Sequence, residues 1–184
     1  MRVIAGSAKG TRLGSVPPGI RPVSDRAREG LFSSLGPISP GTRVLDLYAG
    51  TGALGIEALS RGARSAVFVD RSPNAARAVR SNLALTHLAD RAGVVSSDVL
   101  RFVSRKSKKW SPVDLCFLDP PYAIARRELE AVLAGLARHW LSPGASTVAL
   151  TRPSRSSTHV IPVHWLAARR LEYGDSLVIL YREV

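Results

Sequence analysis

Residues 44–55 read VLDLYAGTGALG, which predicts a buried strand, a glycine-rich turn and the start of a helix. Gly50 and Gly52 permit backbone conformations that a side chain would forbid, so the turn can pass close to a ligand. The helix, which we expect to run to Arg61, would point bare N–H groups and a partial positive charge at that ligand. The stretch therefore predicts a ligand-binding turn of the kind found in α/β folds.

A second strand, residues 65–70, ends on Asp70, where a carboxylate suits the hydroxyls of a ribose. Gly50, Gly52 and Gly55 also satisfy the dinucleotide pattern GxGxxG. Asp46 argues against a dinucleotide, because a carboxylate there would repel a pyrophosphate but would suit the ammonium group of an amino acid. A ligand with an amino-acid end and a nucleoside end is S-adenosylmethionine, which we expect as the cofactor.

The motif DPPY, residues 119–122, follows the apolar run 113–118. The Asp119 carboxylate and the Pro120 carbonyl can each accept a hydrogen from an exocyclic amine, and the prolines restrict the backbone that carries them. Tyr122 offers a flat apolar face on which a base could stack. The alternative interpretation is a strand-ending turn, because Asp and Pro are ordinary turn residues.

These motifs, in this order, resemble the class I amino-methyltransferases, and further stretches resemble the RsmD-type family. Members of that family methylate a guanine N2 of 16S ribosomal RNA in the bacterial small subunit. The likeness covers nearly the whole chain. The stretches that carry it are RVIAG (2–6), KGTRL (9–13), RPVSDRAREGLF (21–32), GALGIEALSRGA (52–63) and YGDS (173–176).

The resemblance implies an α/β, Rossmann-like class I methyltransferase fold. We expect a mostly parallel seven-stranded sheet with an antiparallel closing hairpin at 166–181. A short N-terminal β-hairpin and a helix from Ser24 to about Leu35 would precede it. We assign residues 1–20 to the hairpin extension that contacts RNA or the ribosome, and residues 21–184 to the methyltransferase domain.

The resemblance also implies roles for single residues. Asp70 would hold the ribose hydroxyls, and Asp98 with the N–H of Val99 would hold the adenine amine, although Asp98 could instead be a helix N-cap. Gly50 and Gly52 would pass beneath the methionine part. The expected catalytic residues are Asp119, Pro120, Pro121 and Tyr122, and the other expected cofactor contacts are Asp46, Tyr48, Thr51 and Arg71.

Positive charge dominates the composition, since 26 Lys and Arg against 14 Asp and Glu give a net charge of +12. A domain this basic should bind polyanions, and nucleic acid is the leading candidate. The alternative is that arginine enrichment reflects a GC-rich genome and that the charged runs are solvated faces. We expect RNA contacts from the basic residues of the N-terminal part, which are Arg2, Lys9, Arg12, Arg21, Arg26 and Arg28.

The stretch Thr151-Arg152-Pro153 departs from the family pattern, in which we expect an acidic residue after the fifth core strand, residues 145–150. Arg152 and Arg155 would then lie near the mouth of the cleft.

Length and composition set further expectations. The 184 residues suit one domain, and residues 1–12 contain no apolar stretch long enough for a secretory signal. One cysteine allows no internal disulfide, and the histidines show no metal-ligand spacing. We therefore expect a cytoplasmic monomer without a metal or a membrane contact.

Three alternatives remain. A DNA adenine-N6 methyltransferase would use the same DPPY receptacle, but the chain has no separate target-recognition domain for reading a duplex. A catalytically silent, RNA-binding ribosome-assembly factor would not need Asp119, Gly50 and Gly52 intact. A nicotinamide oxidoreductase would not need DPPY. A titration with S-adenosylmethionine tests the silent factor, and a titration with NAD tests the oxidoreductase.

Overall fold

The computed structural model of the chain describes residues 1–14, 24–110, 112–154 and 165–183. Helices and strands alternate through most of it, as the α/β prediction requires. In chain order the elements are α1 (Asp25–Leu35), β1 (Arg43–Leu47), α2 (Ala53–Ser60), β2 (Ser65–Asp70), α3 (Pro73–Leu85), a 3₁₀ turn (Ala89–Arg91), β3 (Ala92–Ser96), α4 (Val99–Val103), β4 (Leu115–Leu118), α5 (Arg126–His139), β5 (Thr147–Pro153), β6 (Trp165–Tyr173) and β7 (Ser176–Glu183).

The strands form one seven-stranded sheet in the order β3-β2-β1-β4-β5-β7-β6. Strands β1 to β5 are parallel, whereas β7 runs antiparallel to both β5 and β6. The predicted class I methyltransferase fold with its antiparallel closing hairpin is therefore confirmed. The strand order reverses between β1 and β4, and ligands of such sheets bind beside this point, outside the carboxyl ends of the strands.

Both faces of the sheet are covered, which explains why the central strands are continuously apolar in sequence. In β4, Leu115 and Phe117 join a cluster that includes side chains of α1, α2 and α3. Cys116 and Leu118 point the other way, into a cluster with side chains of α4 and α5. The molecule is therefore a three-layer sandwich with the sheet in the middle.

Local capping signals gave correct helix starts. The Ser24 hydroxyl accepts a hydrogen bond from the Ala27 amide, and the Ser72 hydroxyl accepts one from the Ala75 amide. The fifth strand was placed less well, because β5 runs from Thr147 to Pro153 and not from 145 to 150. Antiparallel pairing with β7 carries it on to Pro153, which lies opposite Ser176.

The N-terminal residues 1–14 fold back on themselves, with an antiparallel bridge between Arg2 and Arg12. The Val3 amide donates to the Thr11 carbonyl at 3.0 Å. Val3 and Leu13 are buried in the same cluster as α1, α2 and α3. This segment is thus part of the core, while the boundary that we predict at residue 20 lies outside the described residues and stays a prediction.

Close contacts fasten this segment to α2. The buried carboxylate of Glu57 accepts hydrogen bonds from the amides of Ile4, at 2.8 Å, and Ala5, at 3.0 Å. Gly6 has a φ of +84°, and a Cβ there would lie 1.8 Å from the Ser60 carbonyl oxygen. Only glycine therefore fits at this contact. No helix in the described ranges combines the length and apolar character of a membrane span.

Candidate active site

Two loops meet where the strand order reverses. Leu47, the last residue of β1, lies beside Leu118, the last residue of β4, and the Asp119 amide approaches the Leu47 carbonyl at 3.4 Å. The glycine-rich loop (48–52) and the DPPY loop (119–122) therefore leave the same edge of the sheet side by side. The structure thus brings the two motifs of the sequence into one site.

The glycine-rich loop contains three left-handed residues, with φ of +57° at Tyr48, +56° at Gly50 and +78° at Gly52. Glycine adopts this conformation freely, but it is uncommon for tyrosine and is a form of strain found at functional sites. The Tyr48 hydroxyl is buried without a hydrogen-bond partner. Neither property of Tyr48 was visible in the sequence.

Asp46 lies beneath this loop and is 2% exposed. Its Oδ2 accepts a hydrogen bond from the Gly55 amide at 2.9 Å, and a Cβ on Gly55 would lie 2.4 Å from the Phe68 ring. The third glycine of GxGxxG therefore serves the close packing of α2 on the sheet. Burial, with smaller contributions from Asp119 and Asp70, raises the pKa of Asp46 well above its usual value. Its contact with a ligand ammonium group stays a prediction.

Asp70 links the glycine-rich loop to α3. Its Oδ2 accepts a hydrogen bond from the Gly50 amide at 3.0 Å, and its Oδ1 accepts one from the Ser72 amide at 2.9 Å. Each carboxylate oxygen can accept a second hydrogen bond. The side chain is therefore placed to shape the loop, and the ribose contact stays a prediction.

Asp98 is the N-cap of α4, where its Oδ1 accepts a hydrogen bond from the Arg101 amide at 2.9 Å. Asp98 is therefore a helix N-cap, as the alternative interpretation of this residue proposed. Its contact with the adenine amine stays a prediction. Asp98 also lines a cavity of about 200 Å³ at the carboxyl ends of β1, β3 and β4. The residues that line this cavity are Tyr48, Arg71, Asp98, Val99, Pro121, Ala123, Ile124 and Glu128.

Three of the lining residues, Ala123, Ile124 and Glu128, were not predicted. Ile124 follows the DPPY loop, and Glu128 lies in the first turn of α5. Only residues 123–125 separate the DPPY loop from α5, so the first turn of α5 lies near that loop. The direction of its side chains depends on how α5 packs against the sheet. The sequence pattern therefore did not reveal that Glu128 lines the cavity.

In the DPPY loop, Pro120 is buried and Tyr122 is 44% exposed. Asp119 lies mostly inside the protein, and this burial raises its pKa to about 7, against an opposing effect of Arg152. The loop therefore combines a mostly buried carboxyl group with an exposed aromatic side chain. The contact of Asp119 and the Pro120 carbonyl with a planar amine stays a prediction.

Arg152 does not lie at the mouth of the cleft. It is 2% exposed within β5, and its guanidinium donates to the carbonyls of Pro121 and Tyr122 at 3.3 and 3.4 Å. A phosphate could not reach it without rearrangement, so the expectation of a surface position is corrected. Arg155 lies outside the described residues.

The basic residues of the N-terminal part that the structure describes are either buried or exposed. Arg28 is fully buried and donates to the Arg2 carbonyl at 2.8 Å and to Asp25 at 2.7 Å. No guanidinium surface remains for a phosphate, so we exclude Arg28 from the RNA contacts. Arg21 lies outside the described residues. The exposed members of the set are Arg2, Lys9, Arg12 and Arg26.

Comparison with known proteins agrees with this geometry. The model of a family described as conserved hypothetical protein 95 matches residues 1–182. The chain belongs to this family. Among the described residues of this member, no group of three His, Cys, Asp or Glu side chains is placed to hold a metal ion.

Individual relatives span the whole chain. Ribosomal RNA small subunit methyltransferase D of Escherichia coli is 34% identical over 99% of this chain and 89% of its own length. The protein of the same name from Haemophilus influenzae is 30% identical over 99% of this chain and 92% of its own length. A solved structure of the Escherichia coli protein yhhF has a TM-score of 0.84 and 33% identity, and the match covers 100% of this chain and 97% of that one. The resemblance to the RsmD-type family is thus confirmed.

Proposed function

We propose that this protein transfers a methyl group from S-adenosylmethionine to the exocyclic N2 of a guanine in 16S ribosomal RNA of the bacterial small subunit. The observation that carries the proposal is the DPPY loop beside the glycine-rich loop at the point where the strand order reverses. The relatives named ribosomal RNA small subunit methyltransferase D support the choice of RNA. We expect the protein to act as a cytoplasmic monomer.

The charge around the site suits this cofactor. The carboxyl group of Asp46 interacts with those of Asp70 and Asp119 near the ends of β1, β2 and β4, although the chain as a whole carries +12. A sulfonium and an ammonium group are attracted by such a cluster, whereas the pyrophosphate of a dinucleotide is repelled. The residues present therefore fit S-adenosylmethionine better than NAD.

When bound, S-adenosylmethionine would supply a methyl group that its sulfonium already activates, and loss of the methyl–sulfur bond would leave S-adenosylhomocysteine, so no protein nucleophile is required. The chain's own residues prepare the guanine amine, whose lone pair is delocalised into the ring. Asp119 and the Pro120 carbonyl would accept its two hydrogens and favour the pyramidal nitrogen from which the new N–C bond forms. These contacts strengthen in the transition state and so raise the rate.

The proton that leaves the amine can pass to Asp119. A carboxyl group whose pKa is about 7 can take up that proton and release it to water at neutral pH. Tyr122, beside it, would stack on the base. The target base must leave its own stack to reach this loop, so we expect the acceptor RNA to present it in an accessible conformation.

The exposed basic residues of the N-terminal part are the proposed RNA contact. Arg2 and Lys9 line a second cavity, which Asp25 and Glu29 border from α1. A domain this small has little surface for reading sequence beyond the site. We propose that this segment recognises the shape of folded RNA or of an assembled particle.

The test is transfer of labelled methyl to three acceptors taken from cells that lack the activity. The acceptors are small ribosomal subunits, naked 16S RNA and genomic DNA. Label on subunits or 16S RNA is expected, and the comparison of these two shows whether assembly is needed. Label on DNA alone would contradict the proposal and favour an adenine-N6 methyltransferase.

Asp119→Ala is the matched control. It should abolish transfer while S-adenosylhomocysteine still binds, because the side chain faces the acceptor amine in this assignment. Loss of both properties would contradict the role given to Asp119. A chain that binds neither S-adenosylhomocysteine nor NAD but still binds RNA would favour the silent assembly factor.

A further inference from the structure

Arg152 occupies an unusual position beneath the DPPY loop. It lies near the end of β5, opposite Leu177 of β7, and is 2% exposed. Its Nη1 donates to the Pro121 carbonyl at 3.3 Å, and its Nη2 donates to the Tyr122 carbonyl at 3.4 Å. One planar guanidinium therefore holds two consecutive carbonyls, a geometry that lysine cannot reproduce.

The burial of this cation requires compensation. A charged group inside a protein is costly unless it is paired and hydrogen-bonded. The Nε of Arg152 has no hydrogen-bond partner, so the two carbonyls satisfy the guanidinium only in part. Burial lowers the pKa of Arg152, and this effect is opposed first by the Asp119 carboxylate and then by Tyr122.

Asp119 is subject to three influences. Burial raises its pKa to about 7, and Arg152, from β5, opposes that rise. Asp46, from β1, also faces it and repels a second negative charge. Among these neighbours of Asp119, Arg152 is the one that favours the ionised form. Tyr122, on the same loop, faces the guanidinium itself.

We propose that Arg152 is a positioning residue for methyl transfer, which fixes the DPPY loop through the Pro121 and Tyr122 carbonyls and whose charge favours the ionised form of Asp119. The proposal rests on the proposed function. Because the Pro121 and Tyr122 carbonyls are fixed, Pro120 is held in place between them and Asp119. The two proposed acceptors, the Asp119 carboxylate and the Pro120 carbonyl, therefore keep their spacing. The positive charge favours the carboxylate over the neutral acid, and the carboxylate is the form of Asp119 that can accept a hydrogen from the amine.

Two variants separate geometry from charge. Arg152→Gln removes the charge, and Arg152→Lys keeps the charge but not the paired donors. Arg169→Gln is the matched control, because Arg169 is an exposed arginine on β6, the edge strand of the closing hairpin. The readouts are kcat and kcat/KM against pH, S-adenosylhomocysteine affinity, and the titration of the Asp119 carboxyl followed by ¹³C NMR.

For Arg152→Gln we expect kcat at pH 7 to fall at least about tenfold, which corresponds to about 1.4 kcal/mol of transition-state stabilisation. The acidic limb of the pH profile and the Asp119 titration should both move upward by about one pH unit, the low end for loss of a neighbouring opposite charge. In Arg152→Lys the acidic limb of the pH profile should lie where it does in the wild type, whereas kcat should remain low. Affinity for S-adenosylhomocysteine should stay within about threefold in both variants, and Arg169→Gln should resemble the wild type.

An Asp119 titration that is the same in Arg152→Gln as in the wild type would overturn the proposal. So would equal loss of kcat and S-adenosylhomocysteine affinity with a lowered Tm, because that result indicates a purely structural arginine. If the wild type transfers no methyl group, the proposed function fails. The NMR titration still tests the electrostatic role of Arg152 in that case, so the two failures are distinguishable.

Discussion

At the scale of single residues, the site depends on a few groups held in unfavourable environments. Asp119 is a carboxyl group whose burial raises its pKa to about 7. Tyr48 has a left-handed backbone and a buried hydroxyl without a partner. Such costs are usually retained where a ligand benefits from them.

The raised pKa of Asp119 makes the activity depend on pH. The ionised carboxylate is the form that accepts the amine hydrogens. The value of kcat/KM should therefore be highest above the pKa of Asp119 and should fall as the pH drops through about 7. A pH profile of methyl transfer checks this. A profile that stays flat down to pH 5 would contradict the assignment. Asp119→Asn should leave only a trace of activity, and that activity should not fall between neutral and acidic pH.

Tyr48→Phe should have opposite effects on stability and binding. Removing a buried hydroxyl without a partner should raise the free energy of unfolding of the ligand-free protein by about 1 kcal/mol. If the hydroxyl receives its partner from the cofactor, affinity for S-adenosylhomocysteine should fall several-fold. Urea unfolding and calorimetric titration measure the two effects, and unchanged affinity would remove Tyr48 from the cofactor contacts.

At the scale of elements, local sequence signals were sufficient for most helices and strands. Ser72-Pro73 predicts the start of α3 because its capping depends on neighbours in the chain. The end of β5 could not be predicted in this way, since its last residues are ordered by pairing with β7. The buried position of Arg28 likewise depends on Asp25 and on the distant Arg2 carbonyl.

The packing of α2 on the sheet should not tolerate a methyl group at Gly55. A Cβ there would lie 2.4 Å from the Phe68 ring and 3.0 Å from Asp46 Oδ2. We expect Gly55→Ala to lower the free energy of unfolding by about 1–3 kcal/mol, as overpacking does. Gly41→Ala is the control, because the nearest atom to a Cβ there is 4.0 Å away. Similar stabilities of the two variants would contradict the packing argument.

Asn82 of α3 connects the N-terminal segment to the glycine-rich loop. Its side chain accepts a hydrogen bond from the Gly14 amide at 2.7 Å and donates one to the Thr51 carbonyl at 2.9 Å. Asn82→Ala would leave both groups unpaired, so we expect a loss of about 2 kcal/mol in stability and weaker binding of both S-adenosylhomocysteine and RNA. Asn74→Ala, an exposed change on the same helix, should affect neither. If Asn82→Ala weakened RNA binding but left the affinity for S-adenosylhomocysteine unchanged, the link from the N-terminal segment to the glycine-rich loop would be excluded.

At the scale of the whole molecule, a chain with a net charge of +12 carries an acidic cluster at its proposed site. The positive surface would attract RNA over a distance, while the carboxylates would select a cationic cofactor. The fold and both site motifs were predictable, because each motif is a continuous stretch. The Arg152 contact and the Asn82 bridge join residues about 30 or more positions apart, and only packing reveals them.

The N-terminal segment should be tested by charge changes, because Val3 and Leu13 belong to the core and a deletion would disturb folding. Replacing Arg2, Lys9 and Arg12 by Gln should weaken RNA binding and reduce its salt dependence by about one unit of slope for each lost phosphate contact. Replacing the exposed Arg77, Arg80 and Arg138 by Gln removes the same charge elsewhere. Equal effects of the two triple variants would mean that only net charge matters.

The identity of the methylated atom distinguishes this enzyme from the alternatives most directly. Small subunits or 16S RNA, labelled by this enzyme with S-adenosylmethionine, can be digested to nucleosides and separated by chromatography with mass spectrometry. We predict that the label is recovered as N2-methylguanosine and is absent when Asp119→Ala replaces the wild type. Label in N6-methyladenosine, or equal label with the variant, would contradict the account.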